Sequence, residues 1–237
     1  MVPAVGHAVT LAYPHFEVNY KVYPGTHGAD GRAFAELIER VGRETGAEFV
    51  LTPQVPDIRL AATATDLTLT APAVDAVEPG RGMGRLLPEA LREAGAAGAV
   101  INHAENRDTL ADVAAKIRRC REVGMDSLVC VDGVEMGRAV GAFEPSGMVF
   151  EKPADIASDR AITQTHPERV ERFVATRDEV CPDTKVHVGG GVATAEDVRL
   201  AFEQGADATG AASAVSLADD PESLLRDIGR VVAAADV

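Results

Sequence analysis

Three separate segments of the sequence each end in a side chain that could take part in proton transfer. His103 follows an apolar run, Lys21 follows a second extended segment, and Glu151 follows a third. An imidazole, an ammonium group and a carboxylate can together supply an acid, a base and electrostatic stabilisation of a charged intermediate. We therefore expect these three side chains to form one acid–base site.

Each of these residues also has a purely structural interpretation. A histidine after an apolar run is commonly a hydrogen-bonded core residue, and Glu151 could be an ordinary charge at the start of a loop. Lys21 lies two residues after Asn19, on the same face of its strand, and it could be held in an ion pair with Glu105. The catalytic interpretation requires the fold to bring the ends of the three segments to one edge.

A phosphate-binding site is indicated in the C-terminal part of the sequence. Three consecutive glycines stand before a capping-box motif that begins at Thr194, and glycines let backbone N–H groups approach an anion at a helix N-terminus. A second segment, after the last predicted strand, would complete the site. The predicted phosphate-binding residues here are Gly189, Gly190, Gly191, Ala212, Ser213 and Ala214. The alternative for the glycines is a tight turn between a strand and a helix.

Eight strand-like segments alternate with helical ones along the chain. The strands predicted from short apolar or β-branched runs are residues 15–23, 48–52, 67–71, 99–102, 127–131, 147–150, 185–188 and 206–210. The helices predicted from apolar spacing and capping signals are residues 32–45, 57–64, 88–94, 109–123, 134–143, a segment that starts at 167, then 194–204 and 221–233. This alternation is typical of a closed (β/α)8 barrel, in which active sites lie at the C-terminal ends of the strands.

The barrel is expected to form a single domain of the α/β class. The chain has 237 residues, which is a usual length for one such barrel. A doubly wound sheet is disfavoured because no G-x-G-x-x-G motif follows the first strand. We predict a barrel domain over residues 15–237, preceded by an N-terminal extension, residues 1–14, to which no function is assigned.

Charge and cysteine content exclude several other classes of protein. The formal net charge is −14, which disfavours nucleic-acid binding and docking on an anionic membrane. Three cysteines without a C-x-x-C pair argue against a disulfide framework or structural zinc, and they favour the reducing cytoplasm. A catalytic metal site using Asp75, Glu105, Asp132 and His187 is also disfavoured, because no two of them have a tight metal-binding spacing. No apolar run is long enough for a membrane span.

Taken in order, the motifs resemble those of archaeal-type triosephosphate isomerases. The similarity rests on the Asn-x-Lys motif at residues 19–21, the Asn-His-x-Glu-Asn-Arg motif at residues 102–107, and Glu151 at the end of the sixth strand. Further agreement comes from Thr52-Pro53-Gln54, Pro79-Gly80, Leu87-Pro88-Glu89-Ala90, Cys130, the triple glycine and Ala212-Ser213. The resemblance extends from about residue 15 to the C-terminus.

The resemblance implies an aldose–ketose isomerase of glycolysis and gluconeogenesis that interconverts dihydroxyacetone phosphate and glyceraldehyde 3-phosphate through an enediolate. Glu151 would be the base, His103 would polarise the carbonyl group, and Lys21 would place positive charge beside the substrate. Asn19 would orient groups in the site, and Glu105 would hold Lys21 or shuttle charge behind it. The resemblance also implies that no metal and no organic cofactor is needed, that the enzyme is cytoplasmic, and that it forms a homo-oligomer, either a dimer or a tetramer.

The segment after Glu151 departs from the family pattern. The family's lid reads Glu-Pro-Pro-Glu-Leu-Ile-Gly-Thr-Gly, whereas residues 151–159 read Glu-Lys-Pro-Ala-Asp-Ile-Ala-Ser-Asp. We expect Ser158 to contact the phosphate, and Asp159 would bring a repelling carboxylate near it. Ala214 replaces a glycine, and residues 81–83 differ in a loop that contacts the partner subunit in the family. Two alternatives therefore stay open: an isomerase of the same mechanism for another small sugar phosphate, such as a tetrose phosphate, and a catalytically idle paralogue that binds a sugar phosphate.

Overall fold

The computed structural model describes residues 10–151 and 161–236 of the chain. Eight parallel strands form a closed barrel in sequence order, and β1 pairs with both β2 and β8. The strands are β1 His15–Asn19, β2 Phe49–Thr52, β3 Thr68–Ala71, β4 Ala96–Ile101, β5 Asp126–Val131, β6 Gly147–Phe150, β7 Lys185–Val188 and β8 Ala208–Ala211. The predicted single-domain (β/α)8 barrel is confirmed.

Helices pack around the outside of the strands. In the described part of the chain they are α1 Gly28–Thr45, α2 Ile58–Ala64, α3 Pro88–Ala94, α4 Leu110–Val123, α5 Val134–Gly141, α6 Ile162–Thr165, α7 Pro167–Val180, α8 Ala195–Glu203, α9 Ser213–Ser216 and α10 Pro221–Ala234. A single 3-10 turn, Val55–Asp57, precedes α2. No helix within residues 10–151 and 161–236 has both the length and the apolar character that crossing a membrane requires.

Capping signals in the sequence decide where two of the helices begin. At α4, the Thr109 side chain accepts a hydrogen bond from the Asp112 backbone N–H, and the Asp112 carboxylate accepts one from the Thr109 backbone N–H. Thr194 and Asp197 form the same reciprocal pair at the start of α8. Each pair satisfies two N–H groups that the helix itself leaves unbonded. The start of α8 is therefore fixed directly after the glycine turn.

The hydrophobic core lies between the barrel and its helices and consists mainly of Val, Leu, Ile and Ala side chains. Every residue of β2 and of β4 is buried. Strands of a parallel sheet are covered on one face by helices and on the other by the opposite wall of the barrel.

Several element boundaries differ from the predicted ones. β1 ends at Asn19 and not at residue 23, because Lys21 has a φ angle of 43° and begins a turn. β4 begins at Ala96, three residues before the predicted start. The helices α6 and α9 were not predicted, since elements of four residues are too short to show a helical period.

Residues 10–14 pack against the base of the barrel, at the N-terminal ends of the strands. Leu11 is buried, and its backbone N–H donates a hydrogen bond of 2.9 Å to Asp126 Oδ2. The hydroxyl group of Tyr13 lies 3.0 Å from Nε2 of His187. The described end of the predicted extension thus closes the base, whereas the division into an extension and a barrel domain stays a prediction.

Candidate active site

A cavity of about 350 Å³ opens at the C-terminal ends of the strands. The residues predicted for the site that line it are Asn19, Lys21, His103, Glu105, Glu151, Gly189, Gly190, Gly191, Ala212, Ser213 and Ala214. Ser158 lies outside the described residues, together with the rest of the predicted lid. The barrel therefore brings the three strand ends that carry Lys21, His103 and Glu151 to one cavity, next to both predicted phosphate-binding segments.

His103 and Glu151 face each other in this cavity. Nε2 of His103 lies 3.3 Å from Oε1 of Glu151, and the two side chains keep only 15% and 11% of their surface exposed. Oε1 of Glu151 is buried and makes no hydrogen bond in the described structure. A buried carboxylate oxygen without a hydrogen bond is energetically unfavourable. Oε1 of Glu151 is therefore the atom that can accept a proton from a bound ligand.

A backbone hydrogen bond determines which nitrogen of His103 carries the proton. The Glu105 N–H donates to Nδ1 of His103 at 3.1 Å, so Nδ1 is the acceptor and the proton of the neutral ring is on Nε2, which faces Glu151. Burial lowers the pKa of His103 below its usual value, and the positive charge of Lys21 lowers it further. His103 is thus a neutral hydrogen-bond donor at pH 7, as polarisation of a carbonyl oxygen requires.

Glu151 has the opposite shift. Burial raises the pKa of Glu151 to about 7, and the ammonium group of Lys21 acts against this increase. A carboxyl group that titrates near neutral pH accepts and returns a proton with little difference in free energy. Glu151 therefore has the properties of a general base.

Lys21 is held from two sides. Its Nζ lies 2.9 Å from Oε1 of Glu105, and its backbone N–H donates to Asn19 Oδ1, also at 2.9 Å.

The backbone is strained at two of the strand ends. The φ angles of Lys21 (43°) and of Asn102 (60°), which precedes His103, are positive, which is strained for residues other than glycine. Strain of this kind concentrates at functional sites. The segments that carry Lys21 and His103 thus each contain a strained residue, Lys21 itself and Asn102.

The triple glycine forms a turn between β7 and α8. Gly190 and Gly191 have φ angles of 85° and 72°, which glycine adopts without strain. At Gly189, an added Cβ would lie 3.1 Å from Glu151 Oε2, so a side chain there would press on the carboxyl group. This turn and residues 212–214 line the same cavity, and the Gly189 N–H donates to the Phe150 carbonyl oxygen at 3.0 Å. Backbone N–H groups can bind a phosphate without a cationic side chain.

Sequence reasoning missed two residues that line the lower part of the cavity. Glu17 lies two positions before Asn19 on β1, and His187 lies two positions before Gly189 on β7. Inward-facing residues recur at every second position of a strand, so this alternation could have identified both. His187 was considered only as a metal ligand. Within the described residues, no three or more His, Cys, Asp or Glu side chains are arranged to hold a metal ion.

The structure is a (β/α)8 barrel in which a lysine, a histidine and a glutamate line one cavity beside a glycine turn. The family profile described as Triosephosphate isomerase matches residues 14–145, more than half of the chain. The chain is 37% identical over 220 residues to the triosephosphate isomerase of Methanopyrus kandleri, covering 92% of this chain and 97% of that protein. It is 33% identical over 211 residues to that of Methanocaldococcus jannaschii, covering 89% and 96%. The chain belongs to the triosephosphate isomerase family, and the predicted resemblance is confirmed.

A solved structure agrees with this assignment at the level of the fold. The crystal structure of triosephosphate isomerase from Bartonella henselae superposes with a TM-score of 0.71 over 92% of this chain and 98% of that chain. The two sequences are only 16% identical, so this match shows the shared barrel and carries no information on the site.

Proposed function

We propose that the protein interconverts dihydroxyacetone phosphate and glyceraldehyde 3-phosphate, with Glu151 as the base. The observation that carries the proposal is a carboxyl group with a pKa raised to about 7 that lies 3.3 Å from a neutral imidazole in one cavity. Family membership supports it, since relatives that match about nine-tenths of the chain are named triosephosphate isomerase.

In the proposed reaction, the Glu151 carboxylate removes a proton from C1 of dihydroxyacetone phosphate. The electron pair of the broken C–H bond forms a C1–C2 double bond, and negative charge collects on the C2 oxygen. The Nε2–H group of His103 donates a hydrogen bond to this oxygen, gives it the proton and takes the proton of the C1 hydroxyl. Glu151 then returns its proton to C2, which yields glyceraldehyde 3-phosphate with no net change in atoms. These roles are the ones generally assigned in this family.

Lys21 and Asn19 are proposed to stabilise and orient the enediolate. The Lys21 ammonium group lies in the same cavity as His103 and Glu151, and positive charge near the developing oxyanion favours the transition state more than the neutral substrate. Glu105 holds the Lys21 side chain at 2.9 Å. Asn19 Oδ1 accepts a hydrogen bond from the Lys21 backbone N–H. This bond stabilises the turn from which the lysine side chain extends into the cavity.

The phosphate is proposed to bind at Gly189, Gly190, Gly191, Ala212, Ser213 and Ala214, with Ser158 as a further contact. Gly189 would contribute by leaving space, since its N–H already donates to the Phe150 carbonyl oxygen, and the other five would offer backbone N–H groups. The two positive φ angles in the triple glycine support this assignment, because they allow successive N–H groups to face one anion. Binding through the backbone also fits a protein with a net charge of −14.

The test is a coupled assay of purified protein with both triose phosphates, over a range of salt because the surface is acidic. A four-carbon ketose phosphate is assayed in parallel. We expect interconversion of the triose phosphates, with a kcat/KM at least tenfold above that for the four-carbon compound. Turnover of the four-carbon compound alone would refute the proposed substrate, and turnover of neither would favour a catalytically idle paralogue.

We also propose that the protein forms a homo-oligomer. Met83 is 97% exposed and Val22 is 85% exposed, and Met83 is in the loop that contacts the partner subunit in the family. Sedimentation velocity is expected to show a dimer or a tetramer, and a shift toward monomer in Met83→Asp. A wild-type monomer at micromolar concentration would contradict the proposal.

A cytoplasmic location is proposed as well. Cys120, Cys130 and Cys181 are all buried free thiols, a state that a reducing compartment preserves. Fractionation of the source cells tests the location directly. Recovery of the protein outside the cytoplasmic fraction would refute it.

A further inference from the structure

A carboxyl group lies beneath the catalytic side chains, and the proposed reaction does not use it. Glu17 is on β1 and lines the cavity. Its Oε1 lies within hydrogen-bonding distance of the hydroxyl groups of Thr52 and Thr70, the second at 2.9 Å. None of the described Lys, Arg or His side chains forms an ion pair with it. A carboxylate buried in this way is strongly unfavourable, whereas a neutral carboxylic acid is not.

The number of hydrogen atoms around Glu17 also indicates a neutral acid. Oγ1 of Thr52 and Oγ1 of Thr70 are 2.6 Å apart, so the two hydroxyl oxygens and Oε1 of Glu17 form a closed triangle of three short contacts. Each contact needs one hydrogen atom between the oxygens, and the two threonines supply only two. The third can come from the Glu17 carboxyl group. Burial acts in the same direction, because it raises the pKa of Glu17.

The second oxygen of Glu17 is available to a ligand. Oε2 makes no hydrogen bond with another described residue, while Glu17 lines the cavity and keeps part of its surface accessible. Gly210 on β8 packs closely against Glu17, since an added Cβ would lie 2.6 Å from the carbonyl oxygen of Glu17 and 3.0 Å from its Cβ. The floor of the cavity therefore offers a neutral hydrogen-bonding group.

The proposed phosphate site orients a linear substrate with respect to this floor. With the phosphate at residues 189–191 and the reacting carbons between Lys21, His103 and Glu151, the opposite end of the substrate faces the barrel interior. We propose that Glu17 determines specificity when the ketose binds, with its Oε2 accepting a hydrogen bond from the hydroxyl group on the carbon farthest from the phosphate, which is C1. This hydrogen bond is given up when His103 takes the C1 hydroxyl proton, after Glu151 has removed a proton from C1. An ionised Glu17 would repel the enediolate and the Glu151 carboxylate, and the neutral acid avoids this. The inference rests on the proposed function, which supplies the orientation.

The test measures binding, so it does not depend on turnover. Isothermal titration calorimetry at pH 8 compares glycerol 3-phosphate with propane-1,2-diol 1-phosphate, which has the same phosphate and secondary hydroxyl but lacks the terminal hydroxyl. We expect wild-type protein to bind glycerol 3-phosphate about tenfold more tightly, the effect of one buried hydrogen bond. Glu17→Leu is expected to bind both compounds equally. Its affinity for propane-1,2-diol 1-phosphate should stay within threefold of wild type.

Glu17→Gln is the matched control, because its side-chain carbonyl oxygen can accept the same hydrogen bond. We expect it to keep the preference within threefold of wild type. Equal binding of the two compounds by wild-type protein, or a preference that persists in Glu17→Leu, would overturn the inference.

Infrared difference spectroscopy provides a second measurement if Glu17→Leu does not fold. The band of a protonated carboxyl group that is present in wild type and absent from Glu17→Gln belongs to Glu17. We expect glycerol 3-phosphate to shift this band and propane-1,2-diol 1-phosphate to leave it unchanged. No such band at pH 8, or an equal response to both compounds, would also overturn the inference. Selective binding without any triose phosphate turnover would instead refute the proposed function and leave Glu17 as the hydroxyl-binding residue.

Discussion

The mouth and the base of the barrel contain the same kinds of titratable side chain in different states of bonding. At the mouth, Oε1 of Glu151 is buried without a hydrogen bond, and the residue has a pKa of about 7. At the base, the rings of Tyr13, His15 and His187 pack against one another with centroids 4.8 to 5.5 Å apart. Residue type therefore does not separate a reactive group from a structural one. The direction of the pKa shift does: burial brings the pKa of Glu151 to about 7, whereas it lowers the pKa of His15 to about 4 and that of His187 well below its usual value.

The aromatic cluster at the base is neutral at physiological pH. The Nδ1 of His15 donates to the carbonyl oxygen of Ala12 at 2.7 Å, and Tyr13 pairs with His187 at 3.0 Å. Burial lowers the pKa of His15 to about 4 and that of His187 well below its usual value. Protonation of either ring would require unfavourable charge in the barrel interior. These rings therefore fill space and do not exchange protons near pH 7.

Asp207 shows how the base compensates a buried carboxylate. Its oxygens accept hydrogen bonds from Arg177 Nη1 at 3.0 Å, Lys185 Nζ at 2.7 Å and the Val186 N–H at 2.7 Å. Burial alone would raise the pKa of Asp207, but the hydrogen bonds from Lys185, Val186 and Arg177 outweigh it and lower the pKa. Glu151 lacks comparable compensation, and its pKa rises.

The largest expected effect is at the mouth. Glu151→Gln removes the proposed base and should lower kcat about 10³-fold, since a positioned base contributes roughly 10² to 10⁴ in rate. Steady-state kinetics in both directions measure the loss. Glu144→Gln, which changes an exposed carboxylate at the base, is the matched control and should keep wild-type kcat. Full activity in Glu151→Gln would remove Glu151 from the mechanism.

The next effect is expected at the base. Asp207→Asn leaves Arg177 and Lys185 without their buried carboxylate and should lower the free energy of unfolding by about 3 kcal/mol. Activity per folded molecule should not change. Asp178→Asn removes an exposed carboxylate from the same arginine and should change stability by less than about 0.5 kcal/mol. Urea unfolding measures both free energies. Equal stabilities of the two variants would show that Asp207 is no more important to the fold than the exposed Asp178.

Glu151→Gln is also expected to stabilise the fold in a pH-dependent manner. The pKa of Glu151 is raised from 4.5 to about 7 in the folded protein, so between these values the folded state binds more protons than the unfolded state. The stability that Glu151 contributes is therefore fully present at low pH and is lost as the pH rises toward 7. Relative to wild type, the variant should gain about 2 kcal/mol between pH 5 and pH 8. A gain independent of pH would show that Glu151 titrates normally.

The smallest effect is expected from Tyr13→Phe. The change removes the hydroxyl group 3.0 Å from His187 Nε2 and should lower the free energy of unfolding by about 1 kcal/mol. The kcat should stay within about twofold of wild type, because the rings at the base do not exchange protons in the proposed reaction. Thermal unfolding and kinetics on one sample test both statements. A loss of activity without a loss of stability would place the base cluster in the mechanism.

Local sequence signals identified most elements and failed where a turn is decided by distant contacts. The capping boxes at Thr109 and Thr194 formed as the sequence indicates, because they involve residues only three positions apart. The end of β1 was misplaced, since the strained turn at Lys21 is held by Asn19 and by an ion pair with Glu105, far along the chain. Glu17 was not singled out, because its burial depends on Thr52 and Thr70 from two other strands.

The sequence alone determined the alternation of strands and helices, the barrel they form, and which strand ends carry an ammonium, an imidazole and a carboxyl group. Parallel strands place all their C-terminal ends on one side, so these identities already implied a shared site. Only the tertiary structure decided the 3.3 Å separation of His103 and Glu151, the burial that raises the pKa of Glu151 to about 7, and the carboxyl group beneath them. Distance and burial depend on how all eight strands close around the axis, and no local pattern of residues encodes that closure.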